Sequence, residues 1–236
     1  MRSILSLLQF TTILPLGKSQ DFDCFARHSW IYPVAGYVIA LLVAVPVFFI
    51  TNKVLAAAVA TAGVLILSGA HHFDGLLDFG DGVMARGSPE RRIRALTDKY
   101  IGAGGVAAGL ITLLLLFAGF QSVSLIIPGL IISEVGAKFS MVFLTTYGTP
   151  FKEGMHSYLH RFARPYFPFF SLVLCFPLVF LPVSPLQLVA AALVMIICPT
   201  ILLLGSQKMF GGVNGDVVGA ANEITRACVV VALALL

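Results

Sequence analysis

Seven segments of the chain consist almost entirely of apolar residues, and short polar stretches separate them. A helix that crosses the hydrocarbon core of a bilayer needs roughly 20 apolar residues, and shorter segments must tilt, kink or be partly buried. The pattern therefore predicts an all-α, polytopic membrane bundle of about seven transmembrane helices. Their approximate ranges are 31–50, 54–69, 106–120, 125–145, 167–181, 186–205 and 217–236.

Composition supports this interpretation. Of the 236 residues, 58% are hydrophobic and only 11% are charged, which is more apolar surface than a soluble domain of this length can hide. No internal repeat or separate soluble segment interrupts the pattern. We therefore expect one integral membrane catalytic domain over residues 1–236.

Positive charge is concentrated in two connections between the predicted spans. The connection 86–99 holds five Lys and Arg residues, and the connection 152–164 holds three. Short cytoplasmic loops carry such an excess, so the sequence predicts a multi-pass protein of the cell membrane whose polar loops face the cytoplasm. The connection 206–216 falls on the same side, which favours chemistry at that face over transport through the midplane.

The amino-terminal stretch begins with Arg2 and continues as an apolar run to Leu16. It has no clear small-x-small cleavage site, and it leads into a polar stretch at 18–27. A helix lying in the membrane interface is therefore expected here, in preference to a secretion signal.

Three of the eleven acidic residues fall within eight positions, at Asp74, Asp78 and Asp81. Separations of four and three residues place these carboxylates on one face if the segment is helical, where like charges repel each other. A metal ion would relieve the repulsion, and carboxylate ligands suit Mg²⁺, with Mn²⁺ as the alternative. The three residues are therefore predicted metal ligands. The competing interpretation is a surface segment whose carboxylates are solvated or paired with the arginines downstream.

Neighbouring residues extend this prediction to a diphosphate site. Gly75 and Gly82 leave room for a phosphate to approach the backbone, and Arg86 can neutralise it through two hydrogen bonds. His71 would share the helical face of the acids and could accept a proton. Asp98 is a candidate fourth ligand or base.

Further polar residues lie near the ends of other predicted spans. Glycines at Gly102 and Gly105 fit close approach to a phosphate, although the turn that starts a helix would also use them. In the last connection, Asp216 lies among glycines and is a predicted substrate contact with Gly212 and Gly215. The remaining candidate surface consists of residues 152–154, His156 and His160.

Charged residues also occur within the apolar spans. Glu134 and Lys138 are four residues apart in the fourth span and are expected to form an ion pair inside the bundle. Glu223 and Arg226 lie in the seventh span, where structural pairing is favoured over chemistry.

Several of these motifs together resemble the cobalamin synthase family, adenosylcobinamide-GDP ribazoletransferase. The resemblance extends in order from residue 10 to about residue 223, and it departs from the family where Ile13 replaces a frequent arginine. The matching motifs are Phe10-Thr11-Thr12-x-x-Pro15, Tyr32-Pro33-x-x-Gly36, His71-x-Phe73-Asp74-Gly75-Leu76-x-Asp78-x-x-Asp81-Gly82-Val83, Gly102-x-x-Gly105 and Gly211-Gly212-x-x-Gly215-Asp216-x-x-Gly219-Ala220.

The resemblance implies a Mg²⁺-dependent transfer at the last assembly step of cobalamin biosynthesis. The hydroxyl of α-ribazole, or of its 5'-phosphate, attacks the corrinoid-linked phosphorus of adenosylcobinamide-GDP, and GMP leaves. In these terms Asp81, Asp98 and His71 are the catalytic candidates. The expected partners are these substrates and the lipid bilayer, without nucleic acid, and self-association into a homo-oligomer is compatible with the sequence.

Two other functions remain open at this point. The run Asp78-x-x-Asp81-Gly82-x-x-Ala85-Arg86 is similar to the first half of the CDP-alcohol phosphotransferase signature, which would make the protein a membrane lipid enzyme. The second half fails, because Ala95 stands where a glycine is expected and only Asp98 follows. The other alternative is a non-enzymatic transporter or assembly subunit.

Overall fold

The computed structural model describes residues 1–236 and contains twelve α-helices and no β-strand. The predicted all-α fold class is therefore confirmed. The helices are α1 (Arg2–Thr11), α2 (Phe22–Ala26), α3 (Tyr32–Phe48), α4 (Lys53–Leu67), α5 (His71–Met84), α6 (Pro89–Leu96), α7 (Ala103–Ser122), α8 (Ile126–Tyr147), α9 (Met155–Phe162), α10 (Phe167–Cys175), α11 (Pro185–Phe210) and α12 (Gly215–Ala234).

Five unbroken helical segments are long and apolar enough to cross a membrane: Ser29–Phe48, Ala103–Ser122, Ile126–Tyr147, Pro185–Phe210 and Gly215–Ala234. Two bent helix pairs, α4 with α5 and α9 with α10, raise the number to seven if each pair counts as one span. Every predicted span is therefore helical, and the fifth consists of α10 followed by a 3₁₀ turn at Phe176–Phe180. Helix α1 has ten residues, about 15 Å, and is too short to span, so its place in the interface stays a prediction.

The acidic segment is helical and turns away from the span that precedes it. Helix α5 makes an angle of 93° with α4, and the turn between them is built on Gly69 and Ala70. Both have positive φ, +65° and +57°, and Ala70 is the one non-glycine residue in the chain with this conformation. Helix α5 therefore does not continue α4, and it packs against the long apolar helices α7 and α12.

Helix α8 lies at the centre of the bundle, with α3 and α12 packed along it. Close approach of α3 depends on Gly36, because a Cβ there would lie 2.8 Å from the carbonyl oxygen of Glu134. The side chains of α8 that face these neighbours are buried, including two charged ones, Glu134 and Lys138.

The predicted ion pair between Glu134 and Lys138 does not form. Arg226 of α12 instead forms ion pairs with both Glu134 and Glu223, and all of these side chains are buried. Lys138 Nζ donates a hydrogen bond to Asn222 Oδ1 at 2.8 Å. The guanidinium has five N–H donors in a planar fork, so it can pair with two carboxylates at once, which an ammonium on α8 cannot do as well.

The three polar connections predicted to share one face of the membrane meet at one end of the bundle. Val213 N–H donates to Thr149 O at 2.8 Å, which joins the connection before α9 to the one before α12. Phe210, at the end of α11, packs its ring against Phe79 of α5 and against Phe151. This end of the bundle, called the polar end below, carries the candidate site.

Candidate active site

Helix α5 brings two of the predicted metal ligands to the beginning of α12. At the crossing, a Cβ on Gly75 would lie 2.8 Å from the carbonyl oxygen of Asp216 and 2.9 Å from its Cα. Only glycine allows this approach, so the backbones of the two helices touch. Asp74 and Asp78 flank the contact on α5, and Asp216 follows the N-cap of α12, where Asn214 Oδ1 accepts from Val217 N–H at 3.1 Å.

These carboxylates influence one another electrostatically. Partial burial, followed by the charges of Asp216, Asp74 and Asp81, raises the pKa of Asp78 to about 6, while Lys152 opposes the shift. The negative charge on Asp78 is therefore unfavourable in the protein alone. A bound cation would stabilise it.

Asp81 is engaged differently from the other acids. Its Oδ2 accepts a hydrogen bond from Gly102 N–H at 2.7 Å, and its Oδ1 accepts from Gly105 N–H at 2.8 Å. The carboxylate therefore binds the free amides at the beginning of α7, where a negative charge also interacts favourably with the helix dipole. Asp81 fastens α5 to α7, a role that sequence reasoning did not identify.

A cavity of about 380 Å³ opens beside Asp216 at the polar end. Helices α1, α3, α5, α8, α9 and α12 all contribute to its wall. Among its lining residues are the predicted site residues His71, Gly215 and Asp216, together with His72 and His156. The cavity thus adjoins the acidic cluster.

Comparison with known proteins identifies the family. The profile of the family described as Cobalamin-5-phosphate synthase matches residues 3–234. The chain belongs to this family. The resemblance drawn from the sequence motifs is therefore confirmed.

Relatives align with this synthase family member over nearly the full length of both chains. A protein from Archaeoglobus fulgidus is 35% identical, covering 100% of this chain and 98% of the relative. One from Methanocella arvoryzae is 32% identical, covering 96% and 92%. Both are named adenosylcobinamide-GDP ribazoletransferase. No solved structure matches the chain.

Most glycines predicted to contact substrate in this synthase family member pack closely against other parts of the protein, and their contact with substrate stays a prediction. A Cβ on Gly82 would lie 2.8 Å from Leu96 Cβ, Gly212 approaches the backbone of Thr149, and the amides of Gly102 and Gly105 are bound to Asp81. Gly215 differs, because a Cβ there would meet no atom within 4 Å. These glycines let helices and loops pack closely, which is the other use that the residue type allows.

Two other predicted residues lie on the exposed surface of the polar end. Asp98 is in the connection between α6 and α7, where its Oδ1 accepts from Tyr100 N–H at 3.1 Å. Arg86 follows α5 and is also exposed. At the end of α5, Arg92 Nη1 donates a hydrogen bond to Val83 O at 2.6 Å. Roles for Asp98 and Arg86 in catalysis or phosphate binding stay predictions.

The fit of a metal ion to this site can be judged from the donor atoms. No three His, Cys, Asp or Glu side chains converge closely enough in this conformation to ligate one ion. The chemistry of the donors does fit a hard cation, because Asp74, Asp78 and Asp216 supply only oxygens and repel one another. Each oxygen of Asp81 already accepts one hydrogen bond, so this carboxylate could ligate a cation only through its remaining lone pairs, and its role as a metal ligand stays a prediction.

Gly75→Ala should separate α5 from α12 and lower activity, because the added methyl group would meet the backbone of Asp216, which cannot rotate away. Overpacking of this kind costs about 1–3 kcal/mol. Thermal unfolding and GMP release in lipid nanodiscs would measure both effects. Gly205→Ala is the matched control, because its Cβ would meet only Met209 Cε, at 3.7 Å. Equal behaviour of the two variants would contradict the close contact.

Proposed function

We propose that this protein transfers the adenosylcobinamide phosphate group of adenosylcobinamide-GDP to α-ribazole or its 5'-phosphate. The acceptor hydroxyl forms a bond to the corrinoid-linked phosphorus, the bond from that phosphorus to the GMP oxygen breaks, and the hydroxyl proton goes to a base. The products are adenosylcobalamin, or its 5'-phosphate, and GMP. The observation that carries the proposal is the full-length match to relatives named for this reaction.

The geometry of the polar end supports the same chemistry. A displacement at a diphosphate requires its negative charge to be neutralised and the acceptor to be held in place. Carboxylates suited to a cation lie beside a cavity, and Lys152 is near enough to act on the charge of Asp78. The diphosphate charge can therefore be neutralised next to the place where the acceptor is held.

We assign Mg²⁺ to Asp74, Asp78 and Asp216. When bound, the ion would neutralise the diphosphate oxygens and the charge that develops on the leaving GMP. Within the chain, Asn214 Nδ2 donates to Asp216 Oδ2 at 2.5 Å and fixes the orientation of that carboxylate. Of the three predicted catalytic residues, His71 lines the cavity and remains the candidate proton acceptor.

Purified protein in nanodiscs, given adenosylcobinamide-GDP and α-ribazole 5'-phosphate, should release GMP in step with cobalamin 5'-phosphate. Replacing Mg²⁺ by EDTA should reduce the rate by at least roughly a hundredfold, because the diphosphate charge is then not neutralised. Chromatography of both products would measure the rate. Absence of GMP release from folded protein would contradict the reaction, and release in EDTA would contradict the metal assignment alone.

We further propose that the polar end faces the cytoplasm, because the connections there carry most of the positive charge. The same assay tests this in sealed vesicles with externally added substrates. Inverted vesicles should be active, whereas right-side-out vesicles should become active only after permeabilisation. The reverse pattern would overturn the orientation and leave the reaction unaffected.

A further inference from the structure

The wall of the cavity beside Asp216 consists of apolar side chains and of polar side chains that, apart from Asp216, carry no permanent charge. Apolar side chains come from three sides of the bundle end: Phe10, Met141, Met155 and Leu159 are four of them. Asp216 is the one charged side chain in the wall if the histidines are neutral, and no Lys or Arg lines it. A phosphate would therefore be poorly held inside, whereas an uncharged ring would be well accommodated.

Three buried residues of this wall carry a polar atom without a hydrogen-bond partner. They are His72 Nδ1, Thr145 Oγ1 and His156 Nδ1. Their residues are only 7%, 1% and 3% exposed, so solvent does not readily compensate for the missing bonds. Buried polar atoms are nearly always paired, so these atoms are available to a ligand or to water that enters the cavity.

The hydrogen bonding of His156 determines what its free nitrogen can do. Its Nε2 lies 2.9 Å from the carbonyl oxygen of Gly148, which can only accept, so Nε2 carries the hydrogen. Burial lowers the pKa of His156 to about 4, so the ring is neutral at physiological pH. In this tautomer Nδ1 has a free lone pair and accepts a hydrogen bond, as from a hydroxyl group.

We propose that this cavity binds the nucleoside part of the acceptor, with His156 Nδ1 accepting a hydrogen bond from a ribose hydroxyl. The inference rests on the proposed function and names the place where its second substrate binds. An alkylated benzimidazole ring matches the apolar wall, and its single unsubstituted ring nitrogen can accept from the hydroxyl of Thr145. A volume of about 380 Å³ is near the lower end of ligand pockets, which suits one nucleoside and not a corrin macrocycle.

Two substitutions at His156 test the two ring nitrogens separately: one removes the acceptor at Nδ1, and the other removes the bond from Nε2 to Gly148. His156→Gln places an amide N–H near the position of Nε2 and can keep the bond to Gly148, but it has no acceptor at the position of Nδ1. His156→Asn places an amide oxygen near Nδ1 and loses the bond to Gly148. The inference predicts that KM for α-ribazole rises roughly tenfold in the glutamine variant and no more than about threefold in the asparagine variant. KM for adenosylcobinamide-GDP should not change in either.

A purely structural role for His156 would give the opposite order, because only the asparagine variant loses the bond to the protein. That order, or an equal effect on both KM values, would overturn the inference while wild-type GMP release still supported the proposed function. Thr145→Val is a second variant of nearly the same shape, and it should also raise KM for α-ribazole alone. Thermal unfolding of each variant checks that the bundle is intact.

Direct binding provides a readout that does not depend on transfer. Calorimetric titration of α-ribazole into wild-type protein in nanodiscs, without donor or Mg²⁺, should show binding that is weakened roughly tenfold by His156→Gln. The exposed His28→Gln is the matched control and should bind as the wild type does. Displacement of α-ribazole by an equal concentration of GMP would instead assign the cavity to the leaving nucleotide and overturn the inference.

Discussion

Asp78→Asn should reduce GMP release by at least roughly a hundredfold and leave the protein folded. The substitution removes a proposed cation ligand, and it also removes a charge that partial burial, and then the charges of Asp216 and Asp74, make unfavourable. Because the pKa of Asp78 is raised from 3.8 to about 6 in the folded protein, its ionisation lowers stability as pH rises between these values, and the full cost is present above about pH 6 when no metal is bound. The midpoint of thermal unfolding in EDTA should therefore be unchanged or higher than in the wild type at pH 7.5.

Asp81→Asn is the matched comparison, because it changes the same group one helical turn away. An amide has one acceptor oxygen, so one of the two amides at Gly102 and Gly105 loses its partner, at a cost of about 1 kcal/mol. This variant should unfold at a lower temperature, with a loss of activity that reflects the loosened contact between α5 and α7. Full activity of Asp78→Asn would contradict the role of Asp78 in cation binding. A wild-type midpoint of thermal unfolding for Asp81→Asn would contradict the role of Asp81 in holding α5 to α7.

Arg226→Met should destabilise the bundle by about 3–5 kcal/mol, the largest structural effect expected in the chain. The substitution leaves Glu134 and Glu223 buried without their cation. A buried charge that loses its partner keeps the full cost of leaving water. Chemical unfolding in mild detergent, or the midpoint of thermal unfolding in nanodiscs, would measure the loss.

A second substitution tests whether charge, and not packing, causes this loss. In the double variant Arg226→Met with Glu223→Gln, one carboxylate, Glu134, and one ammonium, Lys138, remain, so the buried charges balance again. Much of the lost stability should return, because Glu134 can then pair with Lys138 one turn along α8. Failure of Glu223→Gln to restore stability would show that the guanidinium contributes through packing.

Local sequence patterns were sufficient to predict the apolar helices and the meeting of the polar connections at one end of the bundle. Each apolar segment coincides with a helix because a long apolar run has no other stable form in a bilayer. The polar connections also meet at one end, as charge alone indicated. These features depend on the order of residues along the chain and require no knowledge of which helices pack together.

Partners across the bundle could not be predicted in this way. Glu134 pairs with a residue more than 90 positions away, whereas the sequence offered Lys138 at a favourable local spacing. The close packing of Gly75 against α12 and of Gly82 against α6 could likewise not be read from the spacing of the acidic segment. Spacing gives the face on which a residue lies, and only the three-dimensional packing determines what that face meets.

The contacts of α5 also decide how the site responds to the thickness of the membrane. Gly75 touches α12 and Asp81 is bound to the beginning of α7, so the helix that carries the carboxylates is fixed to two long apolar helices. Such helices change their tilt when the hydrocarbon core becomes thinner or thicker. Because Gly75 touches the backbone of Asp216 itself, we expect Asp78 and Asp216 to move together when these helices tilt, and the site to keep its spacing in membranes of different thickness.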